Sequence, residues 1–79
     1  MTKLQTIRGM EVRVYRDHNP PHFHIVGADG EVQVAIAGMT VMNGKLPAGM
    51  LRVAMGWATA NRATIVAAWN ALNPDKPTT

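Results

Sequence analysis

Alternating hydrophobic and polar residues in the first half of the chain predict β-strands. Residues 10–16 and 31–37 are apolar at every second position. Successive side chains of a strand point to opposite faces, so each segment would bury one face of a sheet. Residues 22–26 form another predicted strand between these two, and weaker apolar patterns at residues 4–7 and 39–42 suggest short strands at either side.

Turn-forming residues separate these segments and favour an antiparallel meander. Asp29-Gly30 suits a tight hairpin, and Asn43-Gly44 is a second strong turn signal. Asn19-Pro20-Pro21 predicts a stiff connector, because proline lacks a backbone donor and holds the residue before it in an extended conformation. We therefore predict a sheet of three to four antiparallel strands over about residues 4–42.

From Pro47 onwards the apolar residues recur at spacings of three, four and seven, which predicts a helix over about residues 47–73. Proline is well suited to a first helical turn, and Asn73-Pro74 would end the helix. Residues 74–79 are expected to form a loose tail. The predicted fold class is α+β, a single domain of residues 1–79 with the helix packed on one face of the sheet.

One helix of this length would measure about 40 Å at about 1.5 Å per residue, which is long for so small a domain. The continuous apolar stripe favours one helix. A break near Asn61 is the alternative, because Asn can cap a second helix and Gly56 lowers the local helix propensity.

The opposite face of the predicted helix carries small residues and no acid. Its small members are Gly49, Gly56, Ala60, Ala63 and Ala67. Small residues allow a second helix to approach closely, so this face suggests a homodimer. The plainer interpretation is an exposed, alanine-rich surface selected for helix propensity.

Composition restricts the classes of function. The chain has no cysteine, which excludes disulfides and thiolate metal sites. Residues 1–5 lack the apolar run of a signal peptide, and no segment approaches the roughly 20 apolar residues of a membrane span. These features predict a soluble, cytoplasmic domain.

A net charge of +3 permits a nucleic-acid partner but does not indicate one. The basic residues are scattered along the chain, and four aromatic side chains are few for a base-stacking surface. The candidate contacts for a weakly basic nucleic-acid binder are Arg13, Arg16, Arg52 and Arg62.

All three histidines of the chain fall within residues 18–24, around the double proline. His22 and His24 would share one face of a strand while Phe23 points to the core. Two imidazoles at this spacing can bind one divalent metal ion such as Zn²⁺ or Ni²⁺, with Asp17 or His18 as a third ligand. The alternatives are that the histidines only stabilise backbone carbonyls beside the prolines, or that they form a recognition surface.

Other catalytic patterns are weaker or excluded. Serine is absent, so a Ser-His-Asp arrangement cannot occur, and no glycine-rich phosphate-binding loop is present. Glu11 and Glu31 are the only glutamates, and either could act as a general base only if the sheet brings it near the histidines.

The chain resembles a small prokaryotic family, domain of unknown function 4160. The hallmark positions of that resemblance are Asp17, His18, Pro20, Pro21, His22, Phe23 and His24. A second block comprises Lys45, Leu46, Pro47 and Trp57. Relatives tend to carry several acids in the helix, and this chain departs from that pattern by having none there.

The resemblance implies a short cytoplasmic protein encoded beside another small gene, in an arrangement similar to toxin–antitoxin modules. We therefore hypothesise a protein-interaction component whose partner is the product of an adjacent gene. The alternatives are a metal-binding, hydrolytic protein that uses the histidine cluster, and a nucleic-acid binder.

Overall fold

The computed structural model describes all residues, 1–79. Five strands precede two helices along the chain. The strands are β1 (Thr2–Ile7), β2 (Met10–Val14), β3 (His22–Gly27), β4 (Gly30–Ala35) and β5 (Thr40–Gly44). The helices are α1 (Ala48–Ala60) and α2 (Arg62–Leu72).

The strands form one antiparallel sheet in the order β1-β2-β3-β4-β5. The predicted α+β meander is therefore confirmed, but the sheet has five strands instead of three to four. The apolar pattern in the sequence of β1 is weak because the pairing of β1 with β2 shifts register between Lys3 and Gln5. This shift interrupts the two-residue alternation of buried side chains.

The tight hairpin predicted at Asp29-Gly30 is present, because Gly27 pairs with Gly30 across a two-residue loop. The turn predicted at Asn43-Gly44 is instead the end of a strand, since both residues belong to β5. Gly44 has a φ of 87°, and the next residue, Lys45, donates its backbone N–H to the Glu31 carbonyl oxygen. The chain therefore leaves the sheet at Gly44 and turns towards α1.

One face of the sheet packs against both helices and forms the core. The register places Val12, Ile25 and Val32 side by side on this face. The fully buried members of the core cluster on the sheet side are Met10, Val12, Val14, Phe23, Ile25, Val32, Val34 and Ile36, and on the helix side Ala54, Ala58, Ile65 and Trp69. The predicted inward positions of the strands are thus confirmed.

The helical region is broken at Asn61, as the alternative prediction proposed. Asn61 has φ −120° and ψ 28°, outside the helical range, and its carbonyl accepts the first bonds of α2 from Thr64 and Ile65. Its side chain does not cap α2 but donates to the Trp57 carbonyl at 2.8 Å. An unbroken helix of about 40 Å would exceed the 34 Å longest dimension of the molecule.

The prediction of a loose C-terminal tail is wrong. The Asn70 side chain bonds both the backbone N–H and the carbonyl of Thr78, at 2.8 and 3.0 Å. The Trp69 indole N–H donates to the Lys76 carbonyl at 2.7 Å, and Arg16 pairs with Asp75. The tail folds back along α2 because these side-chain bonds hold it there.

The small-residue face of the helices lies outside the core. Gly49, Gly56, Ala60, Ala63 and Ala67 are all exposed. The homodimer predicted from this face stays a prediction. Neither helix is both long and apolar enough to span a membrane.

Candidate metal centre

Asp17, His22 and His24 converge at the end of the sheet where β2 passes into β3. One potential ligand atom from each residue lies within 4.8 Å of the others. The Asp17 carboxylate Oδ2 is 3.1 Å from His22 Nε2 and 3.7 Å from His24 Nε2. The connector between the strands, which contains a cis Asn19–Pro20 bond, brings Asp17 back over the start of β3.

The His22 ring is oriented by the backbone of the connector. Its Nδ1 lies 2.7 Å from the Pro20 carbonyl oxygen. A carbonyl only accepts hydrogen bonds, so Nδ1 carries a proton, and on the other side of the ring Nε2 lies within hydrogen-bond distance of Asp17 Oδ2, at 3.1 Å. The interpretation that the histidines satisfy carbonyls beside proline therefore describes the Nδ1 side of His22, whereas Nε2 of the same ring faces the Asp17 carboxylate.

His24 is oriented in the same sense by a carboxylate. Its Nδ1 donates to Glu31 Oε2 at 2.7 Å. Its Nε2 is buried and has no hydrogen-bond partner, because the 3.7 Å to Asp17 Oδ2 is too long for a hydrogen bond. A buried, unpartnered ring nitrogen is rare in folded proteins and calls for an explanation.

The two oxygens of Asp17 have separate roles. Oδ1 accepts from the His18 backbone N–H at 2.8 Å and from His18 Nδ1 at 2.6 Å. Burial acts to raise the pKa of Asp17, but the His18 backbone N–H and the neighbouring His22 and His18 imidazoles outweigh it and hold that pKa below its usual value. Asp17 is therefore held as an anion whose Oδ2 faces the two imidazoles.

Aromatic side chains shield the imidazoles from solvent. The side chains of His22 and His24 are 1% and 10% exposed. The Trp69 ring lies 5.6 Å from the His22 ring, and the Tyr15 ring meets the His24 ring edge-on at 4.6 Å, both measured between centroids. The low polarity of these neighbours strengthens electrostatic interactions inside the cluster.

The structure brings only some of the predicted residues together. His18 lies at the rim, with an 80% exposed side chain whose Nδ1 reaches Asp17 Oδ1 and whose ring centroid is 5.8 Å from that of His22. Glu31 is brought to the cluster through His24, whereas Glu11 pairs with Arg13 at 2.6 Å. Sequence reasoning missed Tyr15 and Trp69 as shielding residues.

The second block of the resemblance lies away from the cluster. Leu46 and Pro47 line a cavity of about 150 Å³ that contains no cluster residue, and Trp57 packs half-buried against the core. A second, open cavity of about 290 Å³ is lined by Glu31, Gln33, Asn43 and Gly44. It touches the cluster only through Glu31.

Three of the four arginines predicted to contact nucleic acid are engaged within the chain. Arg13 binds Glu11, Arg16 binds Asp75, and Arg62 donates to the Thr79 carbonyl at 2.8 Å. Arg52 is exposed on α1. Nucleic-acid binding by these residues stays a prediction.

Comparison with known proteins gives one match. No curated protein and no solved structure matches the chain. The family model described as "Domain of unknown function (DUF4160)" matches residues 9–70, which include all three residues of the cluster and most of both helices. The match covers more than half of the chain, and the chain therefore belongs to the DUF4160 family.

Proposed function

We propose that Asp17, His22 and His24 bind a divalent transition-metal ion, with Zn²⁺ and Ni²⁺ as the first candidates. The observation that carries this proposal is the buried Nε2 of His24, which has no partner and lies 3.7 Å from the Asp17 carboxylate. Imidazole nitrogen and carboxylate oxygen are ligands that both ions accept.

The charge distribution of the cluster favours a cation between these atoms. Both Nδ1 atoms donate to oxygen acceptors, so both Nε2 atoms are left to face the Asp17 anion. His22 Nε2 lies 3.1 Å from Asp17 Oδ2, whereas His24 Nε2 has no partner. A metal ion bound between the three atoms would supply the missing partner of His24 and would replace the proton on the ligating nitrogen of His22.

The distances are close to those of a metal site. Zinc–ligand bonds of about 2.0–2.2 Å in a tetrahedral arrangement place neighbouring ligand atoms about 3.3–3.6 Å apart. The Asp17–His22 separation of 3.1 Å is slightly below this range, and the Asp17–His24 separation of 3.7 Å is slightly above it. The three ligand atoms lie within 4.8 Å of one another, so small side-chain movements would complete the arrangement.

The groups behind the imidazoles are those that usually support metal ligands. A metal-bound histidine commonly donates its other ring N–H to a carbonyl or a carboxylate, which fixes its orientation. His22 donates to the Pro20 carbonyl and His24 to Glu31. Both rings are thus held with Nε2 towards Asp17 before any ion binds.

Three protein ligands leave room for a water molecule on the ion, as in catalytic zinc sites. Hydrolytic activity, the chemistry suggested by the motif, stays a prediction. Neither of the two cavities is lined by Asp17, His22 or His24. The proposal is therefore confined to metal binding.

Isothermal titration of tag-free protein, treated with a chelator and dialysed, tests the proposal. We expect about one Zn²⁺ or Ni²⁺ per chain and a higher melting temperature with the ion, because the ion binds the folded state. His24→Ala should weaken binding at least tenfold, while the matched control His18→Ala should retain it within a few-fold.

Circular dichroism of each variant would show that it is folded. The absence of metal binding by the wild type would overturn the proposal. Equal affinity in the wild type and in folded His24→Ala would also overturn it.

A protein-interaction function is the second candidate, and the exposed edge of the sheet supports it. All residues of β5 are exposed, and the Val41 and Met42 residues are 46% and 40% exposed. An uncharged edge strand is a common site of strand addition by a partner. Co-expression with the adjacent gene product tests this candidate: joint purification that Val41→Lys abolishes would support it, and separate elution of the wild-type pair would contradict it.

A further inference from the structure

The C-terminal segment, residues 75–79, is held by backbone hydrogen bonds that centre on Lys76. The Lys76 N–H donates to the Asn73 carbonyl at 3.0 Å, and the Lys76 carbonyl accepts from the Trp69 indole at 2.7 Å. Further along, Asn70 bonds both backbone groups of Thr78. A turn after α2 and side chains of α2 thus hold the segment against the helix.

Two of the three proposed metal ligands contact residues at the C-terminal end of α2. The Asp17 backbone N–H donates to Asn73 Oδ1 at 2.9 Å, and Asn73 also accepts from Lys76 through its carbonyl. The His22 ring lies 5.6 Å from the Trp69 ring, whose N–H binds Lys76. Asp17 is therefore connected to Lys76 through Asn73, and His22 is connected to Lys76 through Trp69.

A third connection runs beside the first two. Arg16, next to Asp17 in the chain, binds Asp75 Oδ1 at 2.9 Å and donates to the Leu72 carbonyl at 3.2 Å. Three links thus join the connector that carries the cluster to one short stretch, Asp75 and Lys76. Contacts that converge in this way favour joint ordering of the two regions over independent motion.

We propose that metal occupancy of the cluster and docking of the C-terminal segment on α2 are energetically coupled. This inference rests on the proposed metal function and names a regulation of the same site. An ion that fixes Asp17 and His22 also fixes Asn73 and Trp69, which hold Lys76. Coupling between two equilibria is reciprocal. The metal makes release of the segment less favourable by a certain factor, and release of the segment weakens metal binding by the same factor.

Hydrogen exchange of the full-length protein, followed by NMR with and without Zn²⁺, tests the first direction. The Thr78 amide donates to the Asn70 side chain, a bond that exists only while the segment is docked. We expect Zn²⁺ to slow the exchange of this amide at least about fivefold, the lower end of common coupling factors. The effect should exceed that on exposed amides of α1.

Asn70→Ala tests the reverse direction, because Asn70 holds Thr78 and contacts no ligand of the cluster. We expect this variant to bind Zn²⁺ several-fold more weakly than the wild type. Arg52→Ala, on exposed α1, is the matched control and should leave the affinity unchanged.

The outcomes separate the inference from the function on which it rests. Stoichiometric Zn²⁺ binding with unchanged amide exchange, and with equal affinity in Asn70→Ala, would overturn the coupling and leave the metal site intact. A wild-type protein that binds no Zn²⁺ in the titration would overturn both.

Discussion

At the scale of single residues, Asn73 connects the two halves of the molecule. It is fully buried, donates to the Tyr15 and Trp69 carbonyls at 3.0 and 3.1 Å, and accepts from the Asp17 N–H. Tyr15 and Asp17 belong to the connector that follows β2, whereas Asn73 follows α2. One polar side chain therefore holds the helical half against the part of the sheet that carries the cluster.

Asn73→Ala should lower the free energy of unfolding by about 2–4 kcal/mol, because it removes three hydrogen bonds and leaves buried backbone groups without partners. Denaturant titration measures this loss. The matched control, Asn43→Ala, removes one exposed bond to the Gly44 N–H and should cost less than about 1 kcal/mol. Similar losses for the two variants would contradict the role given to Asn73.

Asp75 provides a prediction of pH dependence. Its hydrogen bonds with Arg16 and then Lys76 hold the pKa of Asp75 well below its ordinary value. A lowered folded-state pKa means that the stabilisation is complete above the ordinary aspartate pKa of about 4 and is lost as the pH falls further towards the folded pKa.

Thermal unfolding of Asp75→Asn should therefore show a lower melting temperature than the wild type at pH 7, with the gap narrowing below about pH 4. Asp29→Asn, which removes a carboxyl that forms no salt bridge in the structure, is the control and should show little gap at either pH. A gap for Asp75→Asn that widens in acid would contradict the assignment.

At the scale of elements, the exit of the chain from β5 depends on a glycine. Gly44 has a φ of 87°, and a Cβ atom there would lie 2.0 Å from the Glu31 carbonyl oxygen. Gly56 lies inside α1, and a Cβ there would meet nothing within 4 Å. The same substitution should therefore have opposite effects at the two positions.

Gly44→Ala should destabilise the protein by about 2 kcal/mol or more, because it combines strain with a backbone clash. Gly56→Ala should stabilise it by about 0.5–1 kcal/mol through helix propensity. Chemical unfolding of both variants measures the two signs. A neutral Gly44→Ala would show that the β5 exit is not fixed as described.

The whole molecule shows which features a sequence can predict. The meander, the Asp29-Gly30 hairpin and the helical period follow from local patterns, and so does the shared face of His22 and His24. The contacts around the cluster do not, because Asn73 lies 56 residues from Asp17 in the chain. The docked tail was missed because side chains of α2 seven and eight residues away hold its backbone, and no local pattern marks these bonds.

The hydrogen-bond partner of His24 could be predicted only in part. Glu31 lies seven residues away, across the hairpin, and the prediction could only make its role conditional on the sheet. The register supplies that condition, because it pairs Val26 with Glu31 and His24 with Gln33. Local patterns thus identified the candidate ligands, and only the assembled sheet placed the group that orients one of them.

The most direct test of the metal proposal is a crystal structure of the zinc-loaded protein, measured at the zinc absorption edge. We predict one anomalous peak about 2.0–2.2 Å from Asp17 Oδ2, His22 Nε2 and His24 Nε2, with His24 moved slightly inward. A crystal grown with zinc that shows no peak at these atoms, or a peak only on the exposed His18, would contradict it.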